Sequence, residues 1–311
     1  MKNILITDSL FIHKEHEQKL RDAGLEITRL DKPKATEEEL CEALKGKHGY
    51  ILGGIEQLTD KVIDSADSLE AIVFTGIGYK DFIPNYEYVT SKGIAIANTP
   101  DSPTHAVAEW AITMALAMNR NIFELGRTGT KDFMTSKGIQ DQKIGIIGLG
   151  RIGQEIIKTI KPFRPADISY YSKHKHEDKE NELGITHKEL PGLFDQSDIV
   201  FVCVSKDAGK DFIGKNELAH MKDGALLVTF MAEGIVDDVA LLNELQSGRI
   251  RAVSDHPIKD EKSKELPLNI WYCFNGSNAF NTIPGIKLTS DMATESIINL
   301  LTTGEDKNKV N

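Results

Sequence analysis

A glycine-rich turn between an apolar strand and a helix constrains the fold of this chain more than any other feature. The apolar run Lys143–Ile147 leads directly into Gly148-Leu149-Gly150-Arg151-Ile152-Gly153, and apolar residues then recur at helical spacing over residues 154–160. In such a unit the first glycine makes a tight turn, the second lets the backbone approach a diphosphate, and the third lets helix and strand pack closely. The helix N terminus presents N–H groups to the anion. Residues 148–153, called the glycine turn below, are therefore predicted to hold the diphosphate of NAD or NADP. A purely structural turn is the alternative.

The residues after the next predicted strand, 168–171, indicate which dinucleotide binds. Proteins that bind NAD usually place an Asp or Glu there, which accepts hydrogen bonds from the ribose hydroxyls. Here the strand is followed by Ser172, Lys173, His174 and Lys175, called the basic loop below. A hydroxyl with cationic neighbours suits a 2′-phosphate better than a bare ribose, so NADP is favoured and NAD remains possible. A solvated basic loop would have the same composition.

Strand-like and helix-like segments alternate along the whole chain, which predicts α/β architecture with parallel sheets covered by helices. At 311 residues the chain is expected to form two domains. Besides 143–147 and 168–171, strands are predicted at 3–6, 49–52, 71–75, 94–98, 199–204, 225–229 and 250–254. Helices are predicted at 14–23, 36–45 and 290–302, with a capping box between Thr36 and Glu39. The turn-rich segment 98–103 is the first predicted hinge.

A helix predicted from Thr104 to about Phe123 carries apolar residues around most of its circumference. Such a helix must be buried against more than one neighbour. A homodimer formed through residues 104–123 is the favoured interpretation, and a central helix within a monomer is the alternative.

Charge and composition exclude several classes of protein. Lys and Arg total 37 against 47 Asp and Glu, for a net charge of −10, which disfavours nucleic acid and anionic lipid as partners. No apolar run approaches the roughly 20 residues that span a bilayer. A cytoplasmic location is therefore expected. The three cysteines lie far apart, Cys203 falls within a predicted buried strand, and no metal site is predicted.

Five ordered motifs resemble the D-isomer-specific 2-hydroxyacid dehydrogenase family, in its phosphoglycerate dehydrogenase-like branch. They are GGIEQLT at 53–59, TGIGYKD at 75–81, VAE at 107–109, the glycine turn, and HMKDGA at 220–225. The resemblance runs nearly end to end and implies a Rossmann-type doubly wound parallel sheet inserted into a smaller, flavodoxin-like α/β substrate domain. It places the substrate domain at 1–100 and 289–311, and the dinucleotide-binding domain at 101–288.

The resemblance also implies three catalytic side chains, and this chain departs from that set. Members of the family use an Arg that binds the substrate carboxylate, a His that donates a proton, and a Glu that orients the His. Alignment on the following Gly-Ile-Val-Asp puts Ala232 at the Arg position, and a slip of one residue would put Glu233 there. Ser277 stands at the His position. Asp260 and Glu261 are the candidates for the orienting carboxylate.

Other residues are candidate substitutes or additional contacts. His256 could act as an acid in place of the missing His, although a solvated or structural histidine is the favoured interpretation. Backbone N–H groups around Gly76, Ile77 and Gly78 are candidate donors to a substrate carboxylate, because such donors survive side-chain change. Two residues at the ends of further predicted strands complete the candidate cofactor set: Val204 and Asp255.

Three hypotheses about function follow. The favoured one is a working NAD(P)-dependent oxidoreductase with non-standard catalytic groups, acting by hydride transfer on a small molecule of unknown identity. The second is a catalytically silent dinucleotide-binding protein that senses redox state or pairs with an enzyme. The third is a scaffold that no longer binds the cofactor.

Overall fold

The computed structural model describes residues 1–7, 10–32, 34–129, 133, 135–230, 233–274 and 279–311, and the chain divides into two compact units. Unit 1 comprises residues 1–103 and 281–311, and unit 2 comprises residues 104–280. The predicted division has the same inserted arrangement, but its second boundary, at 289, falls inside a helix that begins at Ile283. That helix is one continuous element capped by Thr282, whose side chain accepts from the N–H of Gly285 at 3.2 Å. The boundary therefore lies before the helix and not within it.

Unit 1 is built on a five-stranded parallel sheet in the order β2-β1-β3-β4-β5. The strands are β1 (Lys2–Thr7), β2 (Leu25–Leu30), β3 (Gly49–Leu52), β4 (Ala71–Phe74) and β5 (Ala95–Ala97). The helices are α1 (Lys14–Asp22), α2 (Glu37–Ala43), α3 (Asp60–Ser65), α4 (Tyr86–Ser91) and α12 (Ile283–Thr303). This strand order is that of flavodoxin-like sheets, as predicted for the substrate domain.

Helices cover both faces of this sheet. Leu5, Tyr50 and Ile72 point into one apolar cluster, while their neighbours along the strands, such as Ile4 and Ile51, point into another. Strands covered on both faces are apolar at consecutive positions, which is why β3 and β4 appear as continuous apolar runs in the sequence. The predicted capping box of α2 is confirmed: Thr36 Oγ1 accepts from the N–H of Glu39 at 3.3 Å, and Glu39 Oε2 from the N–H of Thr36 at 3.0 Å.

Unit 2 is built on a seven-stranded parallel sheet in the order β12-β11-β10-β9-β6-β7-β8. The strands are β6 (Lys143–Ile147), β7 (Asp167–Tyr171), β8 (Thr186–His187), β9 (Ile199–Val202), β10 (Leu226–Thr229), β11 (Arg251–Ser254) and β12 (Trp271–Cys273). The helices are α5 (Thr104–Asn119), α6 (Ile122–Thr128), α7 (Arg151–Ile160), α8 (Glu177–Leu183), α9 (Leu190–Gln196), α10 (Lys215–Ala219) and α11 (Asp238–Gln246). The strand order reverses at β6, which is the doubly wound Rossmann arrangement extended by one strand. The predicted fold class is confirmed in both units.

The apolar helix predicted over 104–123 is two helices. It breaks after Asn119 because Asn121 adopts a left-handed conformation, with φ of 54°. Along α5 only His105, Glu109 and Thr113 are exposed, and Val107, Ala111 and Met118 join the main apolar cluster of unit 2. Burial within one chain accounts for the apolar circumference, so the homodimer stays a prediction. Among the helices of the described ranges, none combines the length and apolarity needed to cross a membrane.

Candidate functional site

The glycine turn joins β6 to α7, and two of its positions sterically require glycine. Gly148 has a φ of 100°, in the left-handed region, and a Cβ placed there would lie 2.8 Å from the carbonyl oxygen of Cys203. A Cβ placed on Gly153 would lie 2.1 Å from the carbonyl oxygen of Gly148. Any side chain would therefore push the start of α7 away from the turn.

Gly150 presents the opposite situation, because a Cβ placed on it would meet no described atom within 4 Å. It is the N-cap of α7 and, being glycine, brings no capping side chain over the first turn of the helix. The amide N–H groups and the positive end of the helix dipole therefore border open space. This is the geometry that a diphosphate requires, and residues 148–153 fit that group.

Main-chain hydrogen bonds tie the glycine turn to both neighbouring strands. The N–H of Gly148 donates to the carbonyl oxygen of Tyr171 at the end of β7, at 2.8 Å. The N–H of Cys203, just after β9, donates to the carbonyl oxygen of Ile147 at 2.7 Å. The turn thus lies where the strand order reverses, which is where open α/β sheets bind ligands.

The two remaining strand-end candidates lie at different distances from this turn. A Cβ on Gly148 would lie 3.0 Å from Cγ1 of Val204, so Val204 adjoins the turn. Asp255 follows β11, three strands away from β6, where it is buried and its N–H donates to the carbonyl oxygen of Thr229 at 3.1 Å. The structure thus brings Val204, but not Asp255, to the glycine turn.

The basic loop follows β7 and exposes three of its four side chains: Lys173, His174 and Lys175. The Ser172 hydroxyl donates to the carbonyl oxygen of His174 and so fixes the loop. Lys175 Nζ lies 3.3 Å from Glu177 and 3.5 Å from Glu180, and these carboxylates raise its pKa. Lys173, by contrast, makes no ion pair within the described ranges.

In unit 1 the predicted substrate loop, residues 76–78, follows β4. Two of its carbonyl groups accept hydrogen bonds from residues after β5. The Asn98 side chain donates to the carbonyl oxygen of Ile77, and the N–H of Thr99 donates to that of Gly76, each at 3.0 Å. Ile77 and Gly78 are exposed, and their N–H groups donate to no acceptor in the part of the chain that the structure describes. The N–H groups of Ile77 and Gly78 are therefore available as donors, and their part in substrate binding stays a prediction.

Ala232 and Ser277, the two residues predicted to stand at the family's Arg and His positions, lie outside the described residues. The neighbouring alternative, Glu233, is described: one of its carboxylate oxygens lies 2.7 Å from Lys259 Nζ. Hydrogen bonding and attraction from Lys259 hold the pKa of Glu233 below its usual range. The negative charge at this position is therefore neutralised by a lysine that the sequence analysis did not single out.

Asp260 and Glu261 take part in local structure. Asp260 caps a short 3₁₀ helix, accepting from the N–H of Lys262 at 3.0 Å, and Glu261 pairs with Lys264 at 2.6 Å.

His256 is half-buried, its N–H donates to Ser254 Oγ at 2.9 Å, and it lines a cavity of about 30 Å³ with Thr229, Asp238 and Trp271. A cavity of this volume holds one water and no substrate.

Three lysines that the sequence analysis passed over lie at the carboxyl ends of β9 and β11. Lys206, Lys210 and Lys259 line one larger cavity. Each follows a predicted strand in the loop that borders the ligand-binding edge of a parallel sheet, so basic residues in the loops after the strands at 199–204 and 250–254 were the available signal.

Similarity to known proteins agrees with this architecture. Residues 112–273 match the family model described as "D-isomer specific 2-hydroxyacid dehydrogenase, NAD binding domain". A D-3-phosphoglycerate dehydrogenase of Methanocaldococcus jannaschii is 30% identical over 276 residues, covering 86% of this chain and 51% of the relative. A glyoxylate reductase of Thermococcus gammatolerans is 32% identical over 227 residues, covering 68% of this chain and 67% of the relative. The solved structure of an acyclic imino acid reductase in complex with NADPH and D-Arg aligns over 100% of both chains, with a TM-score of 0.85 and 22% identity.

The chain therefore belongs to the D-isomer-specific 2-hydroxyacid dehydrogenase family. It spans about half the length of the Methanocaldococcus phosphoglycerate dehydrogenase that it matches. The matched family model is that of a nicotinamide-dinucleotide-binding domain, and it covers the glycine turn.

Proposed function

We propose that this protein is an NAD(P)-dependent oxidoreductase that acts on a carbonyl or CH–OH group with catalytic side chains other than the Arg and His of its family. The single observation that carries the proposal is the glycine turn, whose amide groups border open space above Gly150. When bound, a reduced nicotinamide would supply a hydride to the carbonyl carbon. The chain must then hold the substrate and deliver a proton to its oxygen.

Substrate binding must proceed without a fixed arginine, since Ala232 stands at that position. The exposed N–H groups of Ile77 and Gly78 are the described donors that suit a carboxylate. Neutral or cationic carbonyl and imine compounds would not need the arginine at all. The imino acid reductase that shares this fold was solved with NADPH and D-Arg, which makes an imine a substrate class worth including.

Proton delivery is assigned to His256 among the described candidates. Its imidazole follows β11 and lines a cavity, whereas the carboxylates of Asp260 and Glu261 are engaged in a helix cap and an ion pair. Histidine is the side chain that most often acts as a general acid or base in enzymes. The small cavity beside it has room for one water that could relay the proton.

NADP is the proposed cofactor in preference to NAD. Exposed Lys173 and His174 follow β7, and no Asp or Glu occupies the place that usually accepts hydrogen bonds from the ribose hydroxyls. The 2′-phosphate of NADP would gain an ion pair with Lys173 that NAD cannot form.

A catalytically silent NAD(P)-binding protein is the second candidate, and the ion pair between Glu233 and Lys259 favours it. A general acid contributes roughly 10²–10⁴ in rate, and a carboxylate-binding arginine adds to that. Neither group stands at its family position. The silent candidate predicts micromolar NADPH binding without turnover.

The experiment follows NADPH oxidation against aldehydes, ketones and imines, alongside glyoxylate, hydroxypyruvate and pyruvate. We expect turnover with at least one compound lacking a carboxylate, and a loss of roughly 10²-fold or more in His256→Gln. His220→Gln is the matched control, because His220 pairs on the surface with Asp195 at 3.0 Å. Absence of turnover with every compound would contradict the enzyme proposal. Ala232→Arg combined with Ser277→His should then restore keto-acid reduction if only those groups are missing.

A further inference from the structure

A cavity of about 380 Å³ in unit 2 is lined by charged side chains that the proposed hydride transfer does not use. It lies at the carboxyl ends of β9, β10 and β11, and no residue of the glycine turn lines it. We call it the lysine pocket, and its lining includes Lys206, Lys210, Lys259, Glu233, Gly209 and Gly234.

Main-chain hydrogen bonds between two loops build the floor of the lysine pocket. The N–H of Asp211 donates to the carbonyl oxygen of Gly234 at 2.8 Å, and the N–H of Ile213 donates to that of Ile235 at 3.0 Å. The N–H of Asp237 closes the ladder by donating to the carbonyl oxygen of Ile213 at 2.9 Å. All three bonds join backbone groups, so they do not involve the charged side chains that line the pocket.

The charge of the lining is opposite to that of the whole chain. Three lysines against Glu233 leave a local charge of +2 (three positive, one negative), while the chain carries −10. Among the described residues, carboxylates in or beside the same loops that do not line the pocket include Asp207, next to Lys206 in the chain, Asp211, 3.8 Å from Lys210, and Asp238, which accepts from the N–H of Lys259 at 3.4 Å. Concentrated cations within a concave site attract multivalent anions.

The carboxylate of Glu233 lies among these lysines, where a bound anion would also lie. Its carboxylate accepts from Lys259 at 2.7 Å, and the charge of Lys206 attracts it as well. Both partners are largely exposed, at 78% for Lys259 and 57% for Glu233, so a solute can reach them. A pair this exposed is worth little, and a ligand can replace the carboxylate at low cost.

We propose that the lysine pocket binds a compact multivalent oxyanion, either a phosphate group or the two carboxylates of a small molecule, and that this anion displaces Glu233 from Lys259. The site is separate from the glycine turn and does not depend on hydride transfer. In an enzyme of the kind proposed above, it would favour substrates that carry a multivalent anionic group.

Calorimetric titration of the whole protein with inorganic phosphate tests the proposal. Lys259→Gln should weaken phosphate binding roughly fivefold, and Glu233→Gln should strengthen it by a similar factor, because the internal competitor is removed. A gain of affinity cannot arise from misfolding, so the second variant keeps the test decisive. The matched controls are Lys45→Gln and Glu42→Gln, a surface pair in unit 1 at 2.5 Å, and neither should alter binding.

Further titrations separate this site from the dinucleotide site and identify the source of the anion. Phosphate should still bind when NADPH is saturating, and acetate, with a single charge, should bind far more weakly than phosphate or 2-oxoglutarate. Tighter binding of 2-oxoglutarate than of phosphate would point to an organic ligand, and the reverse to a free oxyanion. Loss of phosphate binding on adding NADPH, equal binding of acetate, or weaker binding in Glu233→Gln would overturn the proposal. None of these results requires turnover.

Discussion

The carboxyl end of β6 and the carboxyl ends of β10 to β12 lie at the same edge of one sheet. A site at the first would be formed by backbone groups, and a site at the others by side chains. At β6 the site consists of backbone: two sterically required glycines, one open glycine and the first amides of α7. After β10 to β12 the family resemblance predicts catalytic side chains, and the sequence alignment predicts Ala232 and Ser277 at two of those positions. A backbone site persists as long as the fold does, whereas a side-chain site can be lost through two substitutions. The predictions below test this difference, from the largest effect to the smallest.

Gly153→Ala should destabilise the protein by about 3 kcal/mol or more, because its Cβ would lie 2.1 Å from the carbonyl oxygen of Gly148 and backbone must move. Gly192→Ala is the matched control, since a Cβ there meets no described atom within 4 Å and alanine favours helix. Urea denaturation of both variants is the measurement. Equal stability of the two variants would show that the turn is not built as described.

Cys273, at the end of β12, should react with iodoacetamide roughly a hundredfold more slowly than an exposed thiol at pH 7.5. Burial and the nearby Asp255 raise the pKa of this thiol to about 11, so the thiolate forms only as pH rises toward that value. Mass spectrometry of alkylation between pH 7 and 10 follows each cysteine, with half-exposed Cys41 as internal reference. Rapid alkylation of Cys273 at pH 7 would reveal a nucleophile among these strand ends.

Gly150→Ala should lower the affinity for NADPH roughly tenfold and lower stability by no more than about 1 kcal/mol, because its added methyl group enters open space that the diphosphate would occupy and alanine is a poorer N-cap than glycine. Calorimetry and urea denaturation together separate it from Gly153→Ala. Unaltered NADPH affinity would mean that no ligand approaches this face of the turn.

Lys173→Gln should weaken NADPH binding roughly fivefold and leave NADH binding unchanged, as expected for one exposed charge pair with a 2′-phosphate. Lys175→Gln is the control, because Lys175 is already paired with Glu177 and Glu180. Equal losses of affinity for NADPH and NADH would show that Lys173 attracts both nucleotides through its charge and does not recognise the 2′-phosphate.

The sequence predicted the features that depend on local backbone geometry and apolar periodicity. β6, β3 and the capping box of α2 were identified because buried parallel strands are continuously apolar and caps use few residue types. β2, β8 and β12 were missed: β8 has only two residues, β12 has three, and β2 is apolar at only three of its six positions. The first turns of α12 were missed although Thr282 and Pro284 are a common helix start.

Side-chain partners could not be predicted in the same way. Glu233 looked like a reversed charge, and only the fold shows that Lys259, from the loop after another strand, neutralises it. The lysine pocket likewise joins loops that follow β9, β10 and β11, and their proximity depends on sheet order, not on sequence spacing. Contacts of this kind are set by topology, which periodicity does not encode.

Calorimetric titration of the wild-type protein with NADPH and NADH tests most directly whether the backbone site at β6 is retained while the side-chain chemistry has changed. We expect micromolar affinity for NADPH, weaker binding of NADH, and the same stoichiometry for both. If neither nucleotide gave binding heat at millimolar concentration, the claim that the glycine turn holds a dinucleotide would be contradicted.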